Sequence, residues 1–175
     1  MKEILLMYAK YTKRANESAL ALLDGLSLEA RDADRKSWYG SLSGLASHEA
    51  GCALFFLKMF RAASPSAAAA IRGIDGLALP EKKALTGEEW SELRRVCAIA
   101  DQATIDFIES SSEAELSQPL KIDWYGGKPD TVPLCFLLHQ SFVHGIHHRG
   151  QLSQILDEMG IKHDFSGIDV EFLPK

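Results

Sequence analysis

Apolar residues return every three to four positions along four long stretches of the chain, the spacing of one buried helical face. The first stretch, Lys2 to Asp24, puts Ile4, Tyr8, Tyr11, Ala15, Ala19 and Leu22 on one stripe and stops before Gly25, a residue suited to a left-handed cap. The second, from about Ser37 to Ala62, carries Trp38, Leu45, His48, Cys52, Phe55 and Met59. The third opens on Thr86-Gly87-Glu88-Glu89, where Thr86 can cap the helix and Glu89 can reach back to its amide. Its stripe is Leu93, Cys97, Ala100, Thr104 and Phe107, and it ends near Ser110. The fourth runs from Pro133 to Met159 and closes at Gly160, with Leu134, Leu137, Ser141, His144, His148, Leu152, Ile155 and Met159 on one side.

Four long helices predict an all-α protein, a four-helix bundle with its ligand site among inward-facing side chains. The second connection is the longest and contains Ser64-Pro65-Ser66 and the run Ala67–Ala70, which predicts a short extra helix. Before the last helix, alternating residues around Gly126-Gly127 predict a small β-hairpin. The tail from Phe165 to Pro174 is mixed in polarity and predicts extended chain over the bundle. A length of 175 residues with no internal repeat suits one domain spanning 1–175.

Charge and composition narrow the function classes. The chain is 46% apolar and 25% charged, a globular balance, and its formal net charge is −5. No Lys/Arg cluster offers a footprint for a phosphate backbone, which argues against a nucleic-acid partner. No run approaches the roughly 18 apolar residues needed to cross a bilayer. The start, Met1-Lys2-Glu3-Ile4, enters helical pattern directly and lacks a signal-peptide core, so the expected location is cytoplasmic. Cys52, Cys97 and Cys135 form no C-x-x-C pair, and buried reduced thiols are the ordinary expectation.

The chemistry concentrates in His144-Gly-Ile-His147-His148-Arg149-Gly150-Gln151. His144 and His148 are four apart, so their rings share one helix face, and that face is the apolar one. Such a pair can close on a divalent ion; it also arises as a buried, hydrogen-bonded pair. His48, mid-helix on the second stripe, is the candidate third donor. Three imidazoles from two helices leave a fourth position open, the pattern of a catalytic rather than a structural zinc site. Cys52, one turn beyond His48, is either core packing or a fourth ligand. His48-Glu49 lacks the second histidine of H-E-x-x-H, so a zincin reading fails. His147 points about 100° away from His148 and reads as a surface, interface or supporting group. His139 and His163 read as flank and loop residues. Asp34, Glu49 and Asp157 are conceivable proton carriers, each better explained as solvated surface. Arg149 and Gln151 are assigned supporting roles, since an arginine has no lone pair for a cation. Gly150 predicts a crowded spot on the last helix, because glycine inside a helix costs about 1 kcal/mol relative to alanine.

A single histidine in the second helix followed by H-x-x-x-H-R-G-Q-L in the fourth resembles the DinB superfamily of metal-binding four-helix bundles, which includes YfiT-like proteins and thiol-dependent S-transferases. The entry Gly127-Lys-Pro-Asp-Thr-Val-Pro-Leu134 and the core His148-Arg-Gly-Gln-Leu152 carry the likeness, which spans the whole chain. It implies a metal held by His48, His144 and His148, a long crossover between helices, and a homodimer. The additional apolar residues Phe136, Phe142, Val143 and Ile146 suit a second covered surface.

The leading functional expectation is therefore a metal-dependent enzyme of the thiol S-transferase type. It would take zinc or nickel as the ion, a low-molecular-weight thiol as cosubstrate and a small-molecule electrophile. An open three-histidine site suits activation of water equally well. The alternative is a non-catalytic, stress-related metal-binding dimer, with Cys52 closing the shell.

Overall fold

The computed structural model describes residues 1–77, 79, 82–123 and 129–173. Four long helices dominate: α1 (Lys2–Asp24), α3 (Leu42–Ala63), α5 (Gly87–Ser110) and α7 (Leu134–Glu158). Short helices α2 (Leu28–Asp32), α4 (Pro65–Ala70) and α6 (Glu113–Ser117) occupy the connections. Strands β1 (Pro119–Ile122) and β2 (Asp130–Pro133) pair antiparallel, with Leu120 opposite Val132 and Lys121 opposite Thr131. The predicted hairpin is present; its Gly126-Gly127 turn lies outside the described residues.

Local chemistry explains most of the boundaries. Thr86 accepts from the Glu89 amide, and the Glu89 carboxylate accepts from the Thr86 amide, so α5 begins with a full capping box. Ser64 caps α4, with Pro65 in the first turn where its missing N–H costs nothing. α7 follows directly from the β2 strand and ends before Gly160, whose φ of 69° is the left-handed closure anticipated there. Gly25 differs: it stays right-handed, at φ −69°.

The second long helix starts later than its apolar spacing suggests. Residues 33–41 form a loop, Ser41 is the cap, and Trp38 is 89% exposed rather than in the core. Phe55 and Ile4 are also exposed, whereas Leu54, Phe56, Leu57 and Phe60 face inward. The apolar face of α3 is thus rotated from the anticipated stripe, toward α5 and α7.

The long helices form a ring in the order α1, α5, α3, α7. α1 and α3 each pack on both α5 and α7, and stand diagonally across from each other. The chain therefore crosses the bundle between α1 and α3 and again between α5 and α7. One apolar cluster surrounds Phe60 and Phe107, whose rings stack 5.8 Å apart in the interior. Truncating either to Ala would cost about 3–5 kcal/mol. A second cluster gathers Leu23, Leu42, Trp90, Leu93 and Leu156 at the other end. The tail folds over α1: Tyr11 donates to the Phe165 carbonyl, Arg14 pairs with Asp169, and a 3₁₀ turn covers Val170–Phe172.

Candidate metal centre

Between the two clusters lie the histidines. α3 is anchored at its start by Ser41, whose hydroxyl accepts from the Gly44 amide at 2.9 Å and donates to the Lys83 carbonyl. A β-carbon at position 44 would sit 2.2 Å from the Tyr39 carbonyl oxygen, a separation atoms do not tolerate. Glycine at that position lets the preceding loop fold back onto α3. The loop delivers Tyr39, whose ring stacks on His48 at 4.3 Å and meets the edge of His148 at 5.2 Å.

His144 and His148 project from one face of α7, their Nε2 atoms 3.1 Å apart. Gln151 Oε1 accepts from His148 Nδ1 at 2.7 Å, which leaves the lone pair of that ring on Nε2. His48 reaches them across the α3–α7 interface, with ring centroids 5.3 Å from His144 and 4.7 Å from His148. One donor atom from each of the three lies within 4.8 Å of the others. Two nitrogens sharing a tetrahedral ion at 2.0–2.1 Å stand ~3.3 Å apart, so the His144–His148 spacing is already near that value.

Burial favours the donor form of these rings. Desolvation, then the neighbouring His148, His48 and His147, pushes His144 down to about 4. Desolvation also lowers His148, against the opposing effect of its hydrogen bond with Gln151. Neutral imidazoles offer lone pairs, and three of them fit a divalent cation while leaving one tetrahedral position for another ligand.

Other predicted candidates fall outside this set. Cys52 Sγ is 3.6 Å from His48 Nε2 and borders the adjoining cavity, but the converging donor atoms are those of the three histidines. His147 is exposed, its ring 5.0 Å from His148. His139 is exposed beside Tyr8, and His163 donates to the Ile161 carbonyl. Asp34 is exposed and paired with Lys36, and Asp157 is exposed. Gly150 is not crowded: it faces outward, and a β-carbon there would meet nothing within 4 Å. The crowded glycine of α7 is Gly145, where a β-carbon would meet Arg149 Nη1 at 3.1 Å and Glu49 Oε1 at 3.4 Å.

Glu49 corrects the surface reading. It turns inward, and its Oε1 accepts from Arg149 Nη1 at 3.2 Å. Arg149 is 2% exposed and also donates to Asn16 Oδ1 at 2.8 Å. Asn16 in turn donates to both Asp101 oxygens, at 3.0 and 3.2 Å. One polar residue from each long helix thus enters a buried chain of hydrogen bonds. Desolvation raises Glu49, opposed by Arg149, and pushes Asp101 up to about 7, opposed first by the Asn16 hydrogen bonds. Sequence spacing missed Asn16 and Asp101, each one position beyond a residue of the stripes drawn for α1 and α5.

A cavity of about 80 Å³ lies beside these groups. His144, Glu49, Asn16 and Asp101 border it, and most of its remaining wall is apolar, including Leu45, Phe56 and Phe60.

The family model described as the DinB family matches residues 1–167. Neither the curated proteins nor the solved structures yield a match.

Proposed function

The chain belongs to the DinB family, and on that footing we propose that His48, His144 and His148 hold a divalent ion, zinc or nickel, at which an external low-molecular-weight thiol is joined to an electrophile. The observation that carries this reading is the convergence of three imidazoles beside a cavity, a donor set that leaves a tetrahedral ion one further position. When bound, the ion supplies a positive charge that favours the ionised form of a thiol or of water. The protein's own part is positional. Gln151 fixes which nitrogen His148 presents, Tyr39 stacks on the His48 ring, and the cavity walls exclude water from an apolar reactant. No protein nucleophile is needed. We place the reaction in the cytoplasm, where small thiols are kept reduced.

Zinc- or nickel-loaded protein, purified without an affinity tag, should conjugate a thiol to a model electrophile, and the metal-free protein or His148→Ala should not. Hydrolysis of an ester panel with no thiol requirement would reassign the site to water activation.

The position of Cys52 favours a second reading, a closed non-catalytic site with its sulfur as fourth ligand. Cobalt substitution separates the two. A sulfur-to-metal charge-transfer band without added thiol supports closure; its appearance only on adding thiol supports the open site.

We further propose a homodimer through α7. Phe136, Val143 and Ile146 are exposed along one side of that helix, with the bare Gly150 continuing the line, while Phe142 is buried in the protomer's own core. Analytical ultracentrifugation should find a dimer, and a monomer at high micromolar concentration would overturn the assignment.

A further inference from the structure

The cavity beside the histidines is long and narrow. Ala9 and Leu23 of α1 both border it, a span of about 21 Å at the helical rise of 1.5 Å per residue. It passes through both apolar clusters, with Leu57 and Phe60 of one and Leu42 and Leu45 of the other on its wall. Alanines make the room: Ala19, Ala50, Ala53 and Ala100 stand where larger apolar side chains would close the bore. A volume of about 80 Å³ drawn out over such a length leaves space for a single file of atoms and none for a broad body. The polar residues at mid-length hold one another, since Asn16 donates to Asp101 while Asn16 and Glu49 accept from Arg149. Thr12 Oγ1, from a residue on the same wall, is buried without a hydrogen-bond partner among the described residues. Protein interiors pack to the density of organic crystals and keep few voids, so a bore that crosses the core and holds an open hydroxyl marks a place for an occupant.

We propose that this cavity binds an unbranched hydrocarbon chain laid along the bundle axis, with the Thr12 hydroxyl available to a neutral polar group borne on it. The driving force is burial. Each methylene that leaves water for an apolar wall adds a similar increment, and a linear chain accumulates it along the whole bore. A compact body with the same number of carbons has the same surface to bury but the wrong shape. Thr12 can donate or accept and carries no charge, which suits an alcohol or carbonyl oxygen. His144 borders the same cavity, so a bound chain passes beside the histidines. That such a chain is the tail of the electrophile rests on the metal reading above, whereas its binding does not.

The test is calorimetric titration of chelator-stripped protein with hexanol, octanol and decanol, and with 1-adamantanol, which has the ten carbons of decanol in a compact cage. Affinity should tighten about three- to fourfold for each added methylene, and decanol should bind at least tenfold more tightly than adamantanol. Ala19→Leu and Ala53→Leu narrow the bore from α1 and from α3, and each should stop the gain at a shorter chain. Ala19→Val and Ala53→Val replace them if the leucine variants do not fold. Equal binding of decanol and adamantanol overturns the proposal, as does the absence of binding, which would leave the bore to water. Length dependence unchanged in both narrowed variants assigns the binding to the exposed apolar surface and overturns it too. Zinc uptake by a protein that shows no length dependence removes the proposal and spares the metal reading. Length-dependent binding, sensitive to the narrowed bore, in a protein that takes up no zinc sustains the proposal and removes the metal reading.

Discussion

Gly145 and Arg149 share a tight space one turn apart on α7: a β-carbon on Gly145 would lie 3.1 Å from the Arg149 Nη1 that holds Glu49 and Asn16. The guanidinium is enclosed and tied by two hydrogen bonds, so it cannot yield cheaply. Gly145→Ala should therefore destabilise the protein by about 1–3 kcal/mol, the usual cost of overpacking. Gly150→Ala, one and a half turns away with open space around it, should raise stability of the monomer by up to about 1 kcal/mol through helix propensity. Urea unfolding of both variants checks the contrast. Equal effects would mean that the packing at Gly145 is not as described.

Gln151 does for His148 what no other described side chain does, by accepting its Nδ1 proton. Gln151→Leu keeps the helix and removes that acceptor, so His148 can present either nitrogen. Zinc affinity measured by competition with a chromogenic chelator should fall about 10- to 100-fold, with helical circular dichroism unchanged. His144→Ala and His148→Ala should lose nearly all binding.

Removing the metal should leave the fold standing. The proposed ligands come from α3 and α7, which pack together through apolar side chains as well, and the ring of helices closes through α1 and α5 independently of the histidines. Chelation should lower Tm without loss of helicity. At free metal 100 times the dissociation constant the contribution is about 2.7 kcal/mol. Unfolding on chelation alone would instead make this a structural metal protein.

Stability should depend on pH through opposing groups. Asp101 titrates near 7 in the folded protein against an ordinary value of 3.8. Between those values the folded state keeps a proton that the unfolded chain has released, so stability falls as pH rises from about 4 to 7. Glu49, also raised, acts in the same direction. His144, lowered from 6.5 to about 4, acts oppositely: the unfolded chain binds the proton, and stability falls as pH drops from 6.5 toward 4. His148, lowered as well, adds to the second effect. Asp101→Asn removes only the first contribution. Its Tm relative to wild type should rise from pH 5 to pH 7 and level off above that in metal-free protein. A pH-independent difference would show that Asp101 titrates alike in the folded and unfolded chain, so that burial does not raise it.

Helix boundaries were legible where capping chemistry is local. Thr86 with Glu89, Pro65 after Ser64 and Gly160 each act within a few residues, and the bounds of α1 and α5 fall where the sequence placed them, although Ile4 of the α1 stripe is exposed. The start of α3 was not legible, because Trp38 continues the apolar spacing of the helix that follows it. What stops the helix there is Gly40 at φ 79° and the fold-back of Tyr39 onto Gly44, contacts that period alone does not register. The histidine set could be read because a metal site imposes spacing within α7 and leaves His48 as the sole histidine elsewhere on an apolar stripe. Asn16, Glu49 and Asp101 carry no such spacing. They sit at the margins of their stripes, and only the ring order of the helices, with α1 diagonal to α3, brings them to Arg149.

Tyr39 belongs to the 33–41 loop, whereas all three histidines stand on long helices. Roof and walls of the site therefore answer to different constraints. Changes in a surface loop leave the helical packing intact, so the residues covering His48 are free to diverge while the donor set stays fixed. Related bundles with the same three histidines should differ most in this short segment, and grafting it between them should move reactant preference without moving metal affinity.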